Sequence, residues 1–346
     1  MKNIYLCSLF LCVISFARMN NLQQDKSEQN FDPMFGVKNK IETRLSYEEK
    51  FGLYSVSDKN EIVFEFDRNG NEIKQLKYLD DLLHYKENKI YDSSGNLTKT
   101  IIHYLLSEDS SKTEYQYDSS NNLISKSKYD FDGNIEWVTK LKYDSSGNII
   151  EETDYDENGD LYEWFLGYCK SVSVYDIDNN ILQITYYSIN GLLDDFNRWG
   201  CSKRFFKYDS NGFLIEETGY LSDETLHYKS VLTYSLNGNL VDKTVLYNDP
   251  LSDYRIRNSY DTFGNNISKN SYYIDGTINM KLLMKYDKNN RLSEKQGFHY
   301  VAKFGDLIEI PSSKTTYEYS IVYNYWATNI FIMLLTIYHN TKSNKT

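Results

Sequence analysis

The sequence predicts an all-β protein, an antiparallel up-and-down meander of about 18–20 strands coiled into a solenoid-like spiral or an incomplete β-shell. Three observations predict it. Tyrosine, a β-favouring residue, occurs 33 times. Proline, which cannot donate to a strand ladder, occurs only 3 times. Above all, a turn-like string recurs as FDRNGN (66–71), YDSSGN (91–96), YDSSNN (117–122), YDSSGN (143–148), YDIDNN (175–180), YDSNGF (208–213), YSLNGN (234–239), YDTFGN (260–265) and YDKNNR (286–291). Successive second positions step by 25, 26, 26, 32, 33, 26, 26 and 26 residues.

Taken in chain order, residues 1–17 (MKNIYLCSLFLCVISFA) pair one cation, Lys2, with a short apolar run and a small-residue cleavage site at Ser15-Phe16-Ala17. That is the pattern of a secretory signal peptide, too short for a membrane-spanning helix. The expected compartment is extracytoplasmic, secreted or cell-surface. A lipid anchor on Cys12 fits less well, because Leu11 stands where a small residue belongs. Residues 18–36 read as a flexible mature N-terminus, and 37–325 as the repeat domain.

Within each unit of about 26 residues a second, looser turn divides the repeat into halves, as in YDFDGN (129–134) and YDENGD (155–160). Each half reads as one strand plus one turn. The Asp side chain (Asp92, Asp144, Asp261) can cap the turn backbone. Gly95, Gly147 and Gly264 supply a positive φ, with Asn96 and Asn148 following. Between turns the residues alternate: Ile135, Trp137, Thr139, Leu141 and Tyr143 share one face, and Glu136, Lys140 and Lys142 the other. An open sheet of more than about 10 strands tends to curl or split, hence the expected coil.

The two long units hold the candidate site residues. Trp164, Phe165, Trp199, Phe205 and Phe206 form an aromatic cluster suited to stacking on sugar rings or on a protein surface; the competing role is filler where the coil bends. Cys169 and Cys201 stand at nearly equivalent points of adjacent copies and form a candidate disulfide, the competing reading being two unpaired, half-buried thiols. Residues 326–346 are an apolar then polar tail, read as a cap on the sheet edge, with a weak membrane association or an end without a role as the alternatives.

The strings Y-D-x-x-G-N, at this spacing and number, resemble the YD-repeat (Rhs-like) proteins of bacterial cell surfaces. The segment VKNKIETRLSYEEKFG (37–52) is similar to the head of small secreted Bacteroidetes-type repeat proteins, some labelled sugar-binding. The resemblance implies a β-repeat fold and a surface or secreted location. Large members enclose a cargo domain; here residues 326–346 alone follow the repeats, so no such cargo is expected.

A net charge of −11 argues against a nucleic-acid surface, which wants clustered Lys and Arg. The histidines at 84, 103, 227, 299 and 339 form no H-E-x-x-H, and there is no G-x-S-x-G or Walker loop. Asp154-Tyr-Asp-Glu-Asn-Gly-Asp160 begins like a calcium loop, but Phe165 stands where its bidentate Glu belongs, so it reads as a capped turn. The expectation is therefore a non-enzymatic binding protein without metal or cofactor, with a glycan or a surface protein as ligand. The alternatives are an envelope scaffold and, more remotely, a polysaccharide hydrolase or lyase.

Overall fold

The computed structural model describes residues 37–50, 53–107, 109–163, 167–303 and 306–321. The expected signal segment 1–17, residues 18–36, Trp164, Phe165 and the tail 326–346 lie outside the described residues. The first strands are β1 (Val37–Lys50), β2 (Leu53–Phe66), β3 (Glu72–Leu79), β4 (Leu82–Tyr91), β5 (Leu97–Tyr104), β6 (Asp109–Tyr117) and β7 (Leu123–Tyr129). They continue as β8 (Ile135–Tyr143), β9 (Ile149–Tyr155), β10 (Lys170–Tyr175), β11 (Ile181–Tyr187), β12 (Lys203–Tyr208), β13 (Leu214–Tyr220) and β14 (Leu226–Tyr234). The last are β15 (Leu240–Tyr247), β16 (Tyr254–Tyr260), β17 (Asn266–Tyr273), β18 (Ile278–Tyr286), β19 (Leu292–Lys303) and β20 (Asp306–Ile321). Among the described residues the only helical element is a 3-10 turn at Pro250–Ser252.

Every strand pairs antiparallel with its sequence neighbour, and β1 also pairs with β20 from Val37↔Ile321 to Ser46↔Ser313. The meander therefore closes into a 20-stranded barrel. This corrects the expected spiral, solenoid or incomplete shell. The reason is edge chemistry: an open sheet leaves two rows of unpaired backbone groups. Here the long strands β1 and β20, of 14 and 16 residues, satisfy each other.

The turns explain the repeat. Asp92 Oδ1 accepts the backbone N–H groups of Ser94 and Asn96, both at 2.9 Å, and its Oδ2 accepts the Asn96 side-chain amide at 3.1 Å. Asp144 and Asp261 repeat the arrangement. Gly95, Gly147 and Gly264 sit at φ of 85–87°. Where glycine is absent, Asn121, Asn179 and Asn290 take φ of 63–64°, a region asparagine tolerates better than most residues. The turn tyrosine has its own task. Tyr117, Tyr143, Tyr234 and Tyr260 donate their hydroxyls to the carbonyls of Leu97, Leu123, Leu214 and Leu240 at 2.7–3.0 Å. Each thereby ties its turn to the start of the preceding strand.

The strand register sorts side chains into an inner and an outer wall. Trp137, Thr139 and Leu141 are buried on the inner wall, as their alternation predicts. The outer wall carries ion pairs in repeating positions: Glu151 between Lys142 and Lys170, Glu216 between Lys207 and Lys229, Glu294 between Lys285 and Lys314. Solvent screening leaves such surface pairs little weight in stability. The same wall also carries exposed apolar side chains, Val231 and Leu246 among them.

Twenty strands at about 4.8 Å each give a perimeter on the order of 100 Å. Side chains do not fill so wide a ring. Part of the inner wall is instead covered by chain: the β9–β10 and β11–β12 connections are the two long units of the sequence. They pack on each other, since a Cβ on Gly167 would meet the Phe196 carbonyl oxygen at 2.7 Å. Trp199, from the second, packs against both buried clusters of the inner wall: Tyr168, Ile184, Tyr186, Phe206, Leu214 and Leu232 in one, Cys201, Tyr228 and Val245 in the other.

Candidate functional site

Arg204 and Phe206 on β12 alternate with Lys203 and Phe205, so the first pair faces inward and the second outward. The register then sets Phe206 opposite Glu217, Glu217 opposite Ser230, and Leu232 opposite Lys243. These inward residues and the β11–β12 insertion border a partly open chamber of about 200 Å³, lined by Arg198, Trp199, Arg204, Phe206, Leu214, Glu217, Tyr228, Ser230, Lys243, Val245, Tyr247 and Tyr254. At about 30 Å³ per water molecule it has room for on the order of six or seven waters. A wider recess of about 760 Å³ lies between the turns around Asp118 and Asp144, but it is a gap between exposed turn residues and open to solvent. The less open chamber, with its buried polar lining, is the candidate site.

Its floor is a buried ionic network. Arg204 and Glu217 are each 5% exposed. Glu217 Oε1 accepts Arg204 Nε at 2.9 Å, Arg204 Nη2 and the Tyr228 hydroxyl. Arg204 Nη1 donates to the Tyr186 hydroxyl at 3.2 Å. Burial pushes the Glu217 carboxyl upward, but the Arg204 charge and the Tyr228 hydroxyl outweigh it and hold it below the usual range. Burial raises the Tyr228 and Tyr186 phenols well above their ordinary value. The Trp199 ring receives the guanidinium groups of Arg198 and Arg204 at 4.1 and 4.2 Å.

Two groups in the chamber are not satisfied. Ser230 is 1% exposed and its hydroxyl has no hydrogen-bond partner among the described residues. Lys243, half-buried, makes no ion pair or hydrogen bond among them. Burial lowers its ammonium; Glu217 pulls it back up, and Arg204 and Lys269 push it further down.

The aromatic residues singled out in the sequence do not all meet here. Trp199 and Phe206 line the chamber. Phe205 is on the outer wall, edge-on to Tyr220 at 5.6 Å, and takes no part. Cys169 and Cys201 are both free thiols, buried, which corrects the candidate disulfide. The reason is register: Cys169 bonds to one side of the end of β11 through the Tyr187 carbonyl, and the neighbouring Ser202 bonds to the other side through Tyr186. An intervening strand separates the cysteines by about 10 Å, beyond the reach of about 7 Å for a disulfide. Burial raises the Cys201 thiol to about 12. Asp154, first of the calcium-like string, turns inward and is hydrogen-bonded to Thr139, while Asp156 caps its own turn.

Sequence reasoning missed Arg204, Glu217, Ser230 and Lys243. A signal existed in the repeated string Ile-Glu-Glu-Thr at 150–153 and 215–218. Its second glutamate faces inward both times, against Leu141 in the first copy and beside the inward Arg204 in the second.

No family model and no curated protein matches the chain. Among solved structures, the TcdB2-TccC3-Cdc42 crystal structure overlays with a TM-score of 0.40 at 13% identity, over 81% of this chain. This chain spans 16% of that one. A porin-like protein from Bacteroides uniformis ATCC 8492 overlays with a TM-score of 0.36 at 10% identity, over 83% of this chain and 98% of its own. Neither overlay is close enough to carry a role across.

Proposed function

We propose that this chain is a non-enzymatic, extracytoplasmic β-repeat protein of the YD-repeat kind that binds a ligand, a glycan or part of a surface protein, through the chamber behind the Trp199 insertion. The observation that carries the reading is the partly open chamber itself, aromatic on several sides and lined by an unsatisfied buried hydroxyl. A barrel serving only as a wall has no use for an insertion that folds inward and leaves room beneath it. Glu217 supports binding over acid–base chemistry, because its carboxylate is engaged by Arg204 and Tyr228.

The charged outer wall favours a second reading, an envelope scaffold with no small ligand. A thermal-shift screen of the protein against soluble glycans separates the two. A rise in midpoint with one glycan class, lost in Trp199→Leu, supports binding, because only a ligand that prefers the folded state raises the midpoint. No rise with any glycan favours the scaffold.

A further inference from the structure

Resting on that reading of the chamber, we infer that its ligand is a small organic carboxylate carried on a ring, with the oxyanion held by the Lys243 ammonium and the Ser230 hydroxyl. Both groups line the chamber and stand as diagonal neighbours on the paired strands β14 and β15, since Ser230 faces Val245 and Leu232 faces Lys243. The Ser230 hydroxyl is a buried donor left without an acceptor among the described residues, and the Lys243 ammonium lies in the field of Glu217 on the same lining. A buried donor without a partner carries a desolvation cost that a ligand acceptor removes.

The charge of the walls selects the acceptor. Arg198, Arg204 and Lys243 bring positive charge, and Glu217 is the one carboxylate among the described lining residues. Glu217 Oε1 already takes both Arg204 nitrogens and the Tyr228 hydroxyl. Lys243 is thus the cation left over, in a chain whose net charge of −11 gives an anion no general reason to approach. The remaining walls, Phe206, Tyr247 and Tyr254, suit the flat body of a ring. A carboxylate on a sugar ring and one on an aromatic ring share this chemistry.

Two matched pairs of probes test it: D-glucuronate against D-glucose, and benzoate against benzyl alcohol, each titrated calorimetrically into the full barrel. At least one acid is expected to bind about tenfold or more tightly than its neutral partner, which a charge-assisted hydrogen bond supplies. Which pair responds identifies the ring. Lys243→Met, which keeps the stem and removes the charge, abolishes the difference without lowering the melting temperature of the free protein. Ser230→Ala weakens acid binding at nearly constant volume. Equal binding of the neutral partners, or an unchanged preference for the acid in Lys243→Met, overturns the anion assignment and leaves the chamber as a binding site. No binding by either acid overturns the assignment too; if the glycan screen is also flat, the binding reading falls with it.

Discussion

Replacing Glu217 by Leu removes the acceptor of three hydrogen bonds and strands the Arg204 charge at a site that is 5% exposed. Removing one member of a buried ion pair costs about 3–5 kcal/mol, chiefly because the other charge remains uncompensated. Arg204 keeps the Tyr186 hydroxyl and its stacking on Trp199 and Phe206, which puts the expected loss near the lower end, about 3 kcal/mol. Arg204→Met strands the Glu217 carboxylate instead and costs a similar amount. The double variant Arg204→Met/Glu217→Leu buries no charge at this point. It is expected within about 1–2 kcal/mol of the parent, or above it, giving a coupling of at least about 2 kcal/mol. Urea unfolding followed by tryptophan fluorescence, with the slopes compared between variants, reads all four states. Single variants that each lose less than about 1 kcal/mol, or a double variant that loses the sum of the singles, would refute the buried-pair account.

Three more outcomes follow from the same geometry. Tyr143→Phe deletes one hydroxyl of the tyrosine ladder and leaves the Leu123 carbonyl without its 2.7 Å partner; a loss of about 1 kcal/mol is expected in the same urea assay, and no change would empty the ladder of meaning. Gly219→Ala places a Cβ against the Tyr228 ring and 3.0 Å from Cys201 Sγ, an overpacking expected to cost about 1–3 kcal/mol, whereas an unchanged midpoint would mean that this wall is loosely packed. The turn aspartates set the acid response. Hydrogen bonds from the Asn96 backbone lower Asp92, and those from the Asn148 side chain lower Asp144. A lowered folded-state value contributes stability fully present above the unfolded carboxylate value of about 3.9 and lost as pH falls through the folded one. Melting temperatures should therefore hold above pH 5 and drop below about pH 4, less steeply in Asp144→Asn; a flat profile to pH 2 would contradict the capping role.

Local rules made much of the barrel legible. Asp92, Gly95 and Asn96 announce a turn because each residue type answers a backbone need within four residues. Trp137, Thr139 and Leu141 announce a wall because a strand alternates. Closure was not legible, since pairing of Val37–Lys50 with Asp306–Ile321 joins chain ends with no periodic signal between them, and Val37–Lys50 reads as a head rather than a strand. The site was legible only in part for the same reason. Trp199 and Phe206 stand out as aromatic, but the meeting of Arg204 with Glu217, and of Ser230 with Lys243, depends on which way each strand faces. Equivalent positions of neighbouring repeats left Cys169 and Cys201 open to pairing or to two free thiols; the strand β11 lying between them decides for the latter.

The closed ring is what gives the protein an inside, so its seam is the place to test. Thr43 and Thr316 are directly paired across β1 and β20, where Cβ atoms of opposed residues lie about 4.5–5.5 Å apart. The double variant Thr43→Cys/Thr316→Cys, oxidised at low concentration and mapped by peptide mass, is expected to form an intrachain bridge between these two positions. An open spiral keeps its first and last strands apart; free thiols or only interchain bridges at 43 and 316 would contradict the barrel and remove the chamber with it.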